Sequence, residues 1–100
     1  MLVSQLINRN GNPNANQFII IDNGLIAFQS YDSRVCEIRG REVTLGADWY
    51  YSRTTLKHLY TFLDDNGLSS LRDSKSVRKA IKEGQTSDGR YKVLYDPNLR

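Results

Sequence analysis

The stretch that decides the fold lies in the middle of the chain and reads Trp49-Tyr50-Tyr51-Ser52-Arg53-Thr54-Thr55-Leu56-Lys57-His58-Leu59-Tyr60-Thr61-Phe62-Leu63. It holds the only tryptophan, the only histidine and three of the six tyrosines. Four of its apolar side chains recur at i, i+3, i+4 and i+7, the spacing of one helical face, at Leu56, Leu59, Tyr60 and Leu63. The stretch therefore predicts an amphipathic helix around which the rest of the chain is organised.

Both ends of this helix are marked in the sequence. Ser52 fits the N-cap position, where its hydroxyl accepts an early backbone N–H. Tyr51 and Leu56 fit a hydrophobic staple across that cap. Asn66-Gly67 ends the helix, because glycine readily takes the left-handed conformation of a C-terminal cap. The predicted helix is Arg53–Asp65.

A β-hairpin is predicted well before this helix. Asn23-Gly24 suits a two-residue turn, because both residues tolerate positive φ. That register pairs Ile21 with Ile26 and Ile19 with Phe28 on the face expected to meet the core.

A second hairpin follows, and two registers compete for it. A turn on residues 39–40 places Glu37 opposite Glu42, which is repulsive. A turn on residues 40–41 places Arg39 opposite Glu42, which is attractive. We therefore favour the second register.

The remaining segments complete the predicted fold. Leu2–Ile7 is a short apolar strand or helix, and residues 8–16 form an Asn-rich loop. A second helix is predicted over Ser74–Glu83 and a final strand over residues 90–95. The tail from Pro97 onward is expected to fray.

Length and composition bound the fold class. One hundred residues, of which 39% are hydrophobic and 25% charged, are typical of one globular domain, here residues 1–100. We expect an α+β fold, an antiparallel sheet of four to five strands with two helices packed on one face. The expected core consists of Ile19, Ile21, Ile26, Phe28, Ile38, Val43, Leu56, Leu59, Leu63, Val77 and Ile81.

The sequence gives little support to catalysis. His58 is the only histidine and Cys36 the only cysteine, which excludes multi-histidine and cysteine-rich metal sites. A His58/Cys36 nucleophile pair is disfavoured, because Cys36 falls on an inward strand position. We expect no enzyme, no cofactor and no metal. Since no apolar run has the length of a membrane span and no signal peptide is visible, we also expect a cytoplasmic protein without a membrane partner.

Positive charge is concentrated near the C-terminal end. Residues 72–92 carry seven Lys/Arg against three Asp/Glu, whereas the rest of the chain carries seven against eight. The second helix, capped by Asp73 or Ser74, presents one stripe of like charges, which predicts an anion-binding face. A solvated lysine-rich face is the alternative. The candidate binding residues are Lys75, Arg78, Lys79 and Lys82, with Arg90 and Lys92 beyond them.

Three residues beside the start of the first helix form a second candidate group. Trp49 and Tyr50 precede the cap, and Arg53 lies in the first turn. None is needed for the helix itself, and tryptophan, tyrosine and arginine dominate binding hot spots. We therefore expect them to contribute to a binding surface.

Several motifs together resemble a known family. They are Asn16-Gln17-Phe18, Phe28-Gln29-Ser30-Tyr31, Trp49-Tyr50-Tyr51-Ser52-Arg53-Thr54-Thr55 with Tyr60 and Phe62-Leu63, and Lys79-Ala80-Ile81-Lys82-Glu83-Gly84. Over residues 16–84 the chain resembles a small phage and prophage protein family of unknown function. Tyr50 stands where that pattern more often has Asp, which puts any role of that acid in doubt here. The resemblance implies a phage-encoded accessory protein in a bacterial host, and it implies no reaction.

These observations lead to two functional hypotheses. The first is a non-enzymatic phage-type protein that binds and inhibits or modulates a host protein or nucleoprotein complex, for example a defence system such as CRISPR. The alternative is a direct nucleic-acid-binding module that uses the basic helix 74–83 on DNA or RNA.

Overall fold

The chain folds into a six-stranded mixed sheet and two helices, seen in a computed structural model that describes residues 1–8 and 10–100. The elements are β1 (Leu2–Ile7), β2 (Pro13–Asp22), β3 (Leu25–Ser30), β4 (Ser33–Arg39), β5 (Glu42–Gly46), α1 (Arg53–Asp65), α2 (Ser74–Glu83) and β6 (Lys92–Asp96). The strands lie side by side in chain order. The α+β class is confirmed, but the sheet is larger than the four or five strands predicted.

The last strand departs from the predicted antiparallel arrangement. β6 pairs in parallel with β5, with Val43 opposite Val93 and Glu42 opposite Lys92, and it begins at Lys92 rather than at Arg90. Both helices lie between β5 and β6 in the chain. They supply the long crossover that a parallel pair requires. The prediction of a fully antiparallel sheet is therefore wrong for this strand.

Both hairpins have the registers that turn chemistry predicts. Asn23 and Gly24 have φ angles of 48° and 83°, and Ile21 lies opposite Ile26. In the second hairpin Arg39 lies opposite Glu42, which confirms the turn on residues 40–41.

The N-terminal segment is a strand, which decides the alternative that the sequence left open. β1 pairs antiparallel with β2, and Val3 lies opposite Ile20. Because β2 already begins at Pro13, the Asn-rich connection is shorter than the predicted loop over residues 8–16. Residue 9 of that loop lies outside the described residues.

Helix α1 begins and ends where its caps predict. The Ser52 hydroxyl accepts the Thr55 N–H at 3.1 Å, and the Leu68 N–H donates to the Leu63 carbonyl at 2.8 Å. The predicted staple is wrong, because Tyr51 is 78% exposed and turns away from the core. The hydroxyl cap therefore starts the helix without a hydrophobic contact from that tyrosine.

One buried cluster joins both helices to one face of the sheet. Phe28 of β3 stacks on Phe62 of α1, with ring centroids 5.7 Å apart. Val77 of α2 and Val93 of β6 are fully buried in the same cluster. The two helices therefore share one core beneath the sheet.

The predicted core is confirmed except at one position. Phe28, Ile38, Val43, Leu59, Leu63 and Val77 are buried, and Ile19, Ile26, Leu56 and Ile81 pack against them half-buried. Ile21 is 44% exposed, because it lies beside the hairpin turn at the margin of the packed face. Its assignment to the core is wrong.

The C-terminal residues are anchored rather than frayed. The Ala47 N–H donates to the Leu99 carbonyl at 2.9 Å. A Cβ on Gly46 would lie 2.6 Å from both the Arg34 and the Leu99 carbonyl oxygens. The tail thus docks where a glycine permits close approach of two other segments, and the prediction of a frayed tail is wrong.

Candidate functional site

Three side chains from two distant segments meet beside the start of α1. The Arg78 guanidinium carbon lies 4.5 Å from the centroid of the Tyr50 ring and 5.7 Å from the centroid of the Trp49 ring. The two rings are 5.4 Å apart and meet edge to face at 61°. We call this group the Trp49–Tyr50–Arg78 cluster. It unites two candidate groups that the sequence presented separately.

Local structure fixes the aromatic half of the cluster. The Trp49 N–H donates to the Gly46 carbonyl at 3.2 Å, in a tight turn between β5 and α1. Trp49 is only 7% exposed and belongs to the core, whereas Tyr50 is 51% exposed. Trp49 therefore acts as an anchor, and the surface that a partner can reach consists of Tyr50 and Arg78.

Tyr60 connects the cluster to the start of α2. Its pKa is raised, first by burial and then by the neighbouring Asp73 and Tyr50. Asp73 is itself occupied as the N-cap of α2, where it accepts the Ser76 N–H at 2.7 Å. These hydrogen bonds to Ser76 are the main reason that the pKa of Asp73 is lowered. Asp73 is thus occupied in capping α2.

The outer surface of α2 is basic, as predicted. We call the four exposed residues there the α2 face, and they are Lys75, Arg78, Lys79 and Lys82. Among the described residues, the salt bridges are Arg34–Glu37 at 2.7 Å and Arg90–Asp88 at 4.0 Å, so none involves the α2 face. Since the only acid within α2 is Glu83, this face keeps its charge available to a partner.

The two remaining basic candidates lie outside the α2 face. Arg90 and Lys92 line a groove of about 490 Å³ together with Arg39 and Arg41. The sequence did not single out the latter two, because the parallel pairing that brings the second hairpin turn to β6 leaves no local signal. The predicted register of the second hairpin puts Arg39 and Arg41 at one end of the sheet. The sequence did not predict that β6 lies beside them.

Arg53 also lies outside the cluster. It lines a cavity of about 710 Å³ between α1, the Asn-rich connection and the segment joining the helices. Lys57, His58 and Arg72 line the same cavity. The pKa of His58 is lowered by burial and by the charge of Lys57, which favours the neutral imidazole. Among the described residues the cation–π partner of Trp49 and Tyr50 is Arg78 and not Arg53, so a shared role of Arg53 with the two aromatic residues stays a prediction.

The position of Cys36 argues against a nucleophilic role for its thiol. Cys36 is fully buried, and that burial, with the charge of Glu37, raises the pKa of its thiol far above the ordinary value. A protonated, inaccessible thiol is a poor nucleophile. Over residues 1–8 and 10–100 no group of three or more His, Cys, Asp or Glu could hold a metal ion. In the same residues no helix is both long and apolar enough to cross a membrane.

Comparison with known proteins assigns the chain to a family. A match to a family of unknown function, DUF8033, covers residues 1–83. The chain belongs to DUF8033. The match begins at residue 1 rather than at residue 16, where the resemblance in the motifs began, and it includes Trp49, Tyr50 and Arg78. The phage origin implied by that resemblance stays a prediction.

The family match leaves out the last strand. Residues 84–100, which hold β6, Arg90 and Lys92, lie beyond it. No curated protein and no solved structure matches the chain.

Proposed function

We propose that this protein is a non-enzymatic binding protein. In this proposal the α2 face, with the Trp49–Tyr50–Arg78 cluster at its margin, docks on an acidic surface of a host protein or nucleoprotein complex and modulates it. The resemblance to phage accessory proteins makes a bacterial host machine, such as a defence complex, the partner to look for.

One observation carries the proposal, namely the contact of Arg78 with the half-exposed Tyr50 ring. Holding a guanidinium over a ring orders an otherwise flexible side chain before any partner arrives, which lowers the entropic cost of binding. Tryptophan, tyrosine and arginine are also the residues most enriched in binding hot spots. The cluster therefore supports a docking role more directly than a scattered set of surface lysines would.

Charge indicates the kind of partner. The α2 face carries four cations at i, i+3, i+4 and i+7, and like charges at this spacing destabilise a helix. An acidic partner surface would relieve this repulsion. Electrostatic complementarity of this kind mainly increases the association rate and the specificity.

A comparison of three baits in a host lysate tests the proposal. The wild type, Arg78→Glu and the matched control Arg53→Glu are used in parallel at moderate salt. We expect one specific partner to be retained by the wild type and the control and lost by Arg78→Glu. Equal retention by all three baits would contradict the proposal, because Arg53 carries the same charge at a different surface.

Direct nucleic-acid binding is a second candidate, favoured by the groove of Arg39, Arg41, Arg90 and Lys92. Gln85 lines both this groove and a smaller cavity beside Lys79 of α2. The two basic areas are therefore neighbours, which suits a charged backbone that extends over both.

Salt dependence distinguishes this candidate from the first. The logarithm of the affinity for DNA or RNA should fall linearly with the logarithm of the salt concentration. The magnitude of this slope should decrease by about one for each phosphate contact that is removed. The quadruple variant with glutamate at Lys75, Arg78, Lys79 and Lys82 should lose most of the affinity. A lack of DNA or RNA binding at low salt would eliminate this candidate.

A further inference from the structure

The two edges of the sheet differ in how they are protected from other chains. β6 forms one edge, and the segment after α2 covers part of it, where Gln85 pairs with Lys92 and the Val93 N–H donates to the Gly84 carbonyl at 3.0 Å. β6 also carries a charged residue at each end, Lys92 and Asp96. A covering segment and charged residues are devices that keep an edge strand from pairing with another chain.

β1 forms the opposite edge and has neither form of protection. Among residues 1–8 and 10–100 it pairs with β2 alone. Its six residues, Leu2–Ile7, include no charged residue and no proline. The pairing with β2 is regular from Leu2 to Gln5, and the register then shifts before Ile7. Such an unprotected edge is a template for the addition of another strand.

The first hairpin determines which backbone groups of β2 face β1. Its two-residue turn makes Asp22 and Leu25 a hydrogen-bonded pair, so the backbone groups of Asp22 face β3. Backbone groups alternate between the two sides of a strand. Those of Ile21 and Ile19 therefore face β1.

The same alternation shows which groups of β1 are free. Leu2 lies opposite Ile21 and Ser4 opposite Ile19, so the backbone groups of Leu2 and Ser4 bond to β2. The N–H and C=O groups of Val3 and Gln5 point the other way, to the open edge. Both residues are exposed, so these donors and acceptors are accessible to a second strand.

Apolar side chains flank this edge on both faces of the sheet. Leu2 is 70% exposed and its neighbour Ile21 is 44% exposed, on the face that carries the core residue Phe28. Val3 is 59% exposed on the other face, beside Ile20. A solvated antiparallel strand normally has polar residues on its outer face. Exposed apolar residues on both faces indicate a strand that is covered by another chain.

We propose that β1 pairs antiparallel with β1 of a second copy of this chain, about a two-fold axis at Ser4. Val3 of each copy then lies opposite Gln5 of the other, and the free backbone groups of these residues bond to one another. The axis is perpendicular to the sheet, so both copies keep their helices on the same side. Two six-stranded sheets become one continuous sheet, and the interface is the same patch on both copies.

Charge favours a second copy as the occupant of this edge. Two uncharged strands place no like charges opposite each other, as antiparallel pairing requires. α2 packs against β6, at the far edge of each sheet. In a sheet of twice six strands, about 4.8 Å apart, the two copies of β6 lie about 50 Å from each other. This separation far exceeds the screening length of about 8–10 Å, so the two cationic α2 faces do not oppose the pairing.

The size of the edge determines how stable this dimer is. A strand of six residues is about 20 Å long, and a sheet is about 10 Å thick. Such a strip is smaller than the roughly 800 Å² per partner of a standard interface. We therefore expect a dimer that dissociates on dilution in the micromolar range.

Sedimentation equilibrium of the purified full chain tests the pairing, from low micromolar to near millimolar concentration. The average mass of the wild type should rise with concentration toward twice the monomer mass. Val3→Pro should stay monomeric yet folded by circular dichroism, because the N–H that it removes points to the open edge. Val3→Lys should also stay monomeric, and it keeps the test decisive if the proline distorts β1. The matched control Leu94→Lys, at an exposed apolar position of β6, should dimerise like the wild type.

Cysteine cross-linking tests the register. Ser4 lies opposite Ser4 of the second copy in a non-hydrogen-bonded pair, with Cα atoms about 4.5 Å apart, which is within disulfide range. Ser4→Cys should therefore form a covalent dimer in oxidised glutathione. The control Gln5→Cys should not, because Gln5 lies opposite Val3 and its two copies are more than about 7 Å apart. The native Cys36 is buried and does not interfere.

Three results would overturn the assignment. One is a monomeric wild type at every concentration, which would leave the edge to a strand of another protein. Another is a dimer that survives both Val3→Pro and Val3→Lys, which would place the interface elsewhere. The third is cross-linking of Gln5→Cys as efficient as that of Ser4→Cys, which would refute the register. All three are measured on the purified chain alone, so none depends on the docking role of the α2 face.

Discussion

The contact between Tyr50 and Arg78 is the feature of the surface that is best suited to quantitative perturbation. Each residue is replaced by alanine, alone and together, and the coupling free energy is taken from the four free energies of unfolding. The Arg78 guanidinium carbon lies 4.5 Å from the ring centroid, well within cation–π distance. Since Tyr50 is half exposed, we expect a coupling of about 0.5–1 kcal/mol, as at other exposed sites.

A single replacement of Arg78 would hide this energy. Arg78 shares the α2 face with Lys75 and Lys82, and like charges at i, i+3 or i+4 cost about 0.2–0.5 kcal/mol per pair. Removal of Arg78 relieves that repulsion and loses the ring contact, so the two effects nearly cancel. The double-mutant cycle separates them, because the lysines are present in both Tyr50 backgrounds.

Urea unfolding followed by circular dichroism is the appropriate assay, with midpoints compared at a common slope. At high salt the lysine repulsion is screened, so Arg78→Ala should become more destabilising while the coupling persists. A coupling indistinguishable from zero at both salt concentrations would refute the contact and remove the basis of the docking proposal.

Three further predictions concern stability and can be measured by urea unfolding. Phe62→Ala should cost about 3–5 kcal/mol, because it empties a fully buried aromatic position, and a loss below 1 kcal/mol would argue against the core described here. Gly46→Ala should cost about 1–3 kcal/mol through its clash with backbone, and less once Leu99 is deleted; an unchanged cost would place the clash elsewhere. The pKa of Asp73 is lowered in the folded state, so its carboxylate stabilises the fold fully at pH values above its unfolded-state pKa. This stabilisation is lost as the pH falls through the folded-state pKa. Asp73→Asn, which can still accept the Ser76 N–H, should flatten that acid-side loss, whereas an unchanged pH profile would show that the cap carboxylate contributes nothing.

Sequence patterns predicted the local structure well, because its determinants are local. The hydroxyl of Ser52 and the left-handed Gly67 fix the two ends of α1 within one turn of the helix. The charges of Arg39 and Glu42 select the register of the second hairpin across a two-residue turn. Each of these signals operates over a few residues, which is why the printed sequence reveals them.

The long-range arrangement was not predictable from such signals. A buried valine at position 93 is compatible with both parallel and antiparallel pairing. No local signal therefore indicated that β6 pairs in parallel with β5. The docking of Leu99 depends on its close approach to Gly46, which is far away in the sequence. No local pattern therefore indicated it. Tyr51 satisfied the staple pattern, but that pattern does not specify where the ring packs.

The candidate surface was predicted in its parts but not in its assembly. The basic stripe on α2 follows from helical spacing, and Trp49 and Tyr50 stand out as aromatic residues without a helical role. Their contact with Arg78 depends on how α2 packs beside the start of α1. The sequence likewise does not indicate that Arg53, three residues after Tyr50, lines a different cavity.

The most direct test of the docking proposal is the affinity of the purified partner for the wild type, Arg78→Glu and Arg53→Glu. We predict that Arg78→Glu weakens binding by at least about thirtyfold, the loss expected for a hot-spot residue, and that Arg53→Glu changes it by less than about threefold. Equal effects of the two charge reversals would show a non-specific response to net charge, and they would contradict a binding site centred on Tyr50 and Arg78.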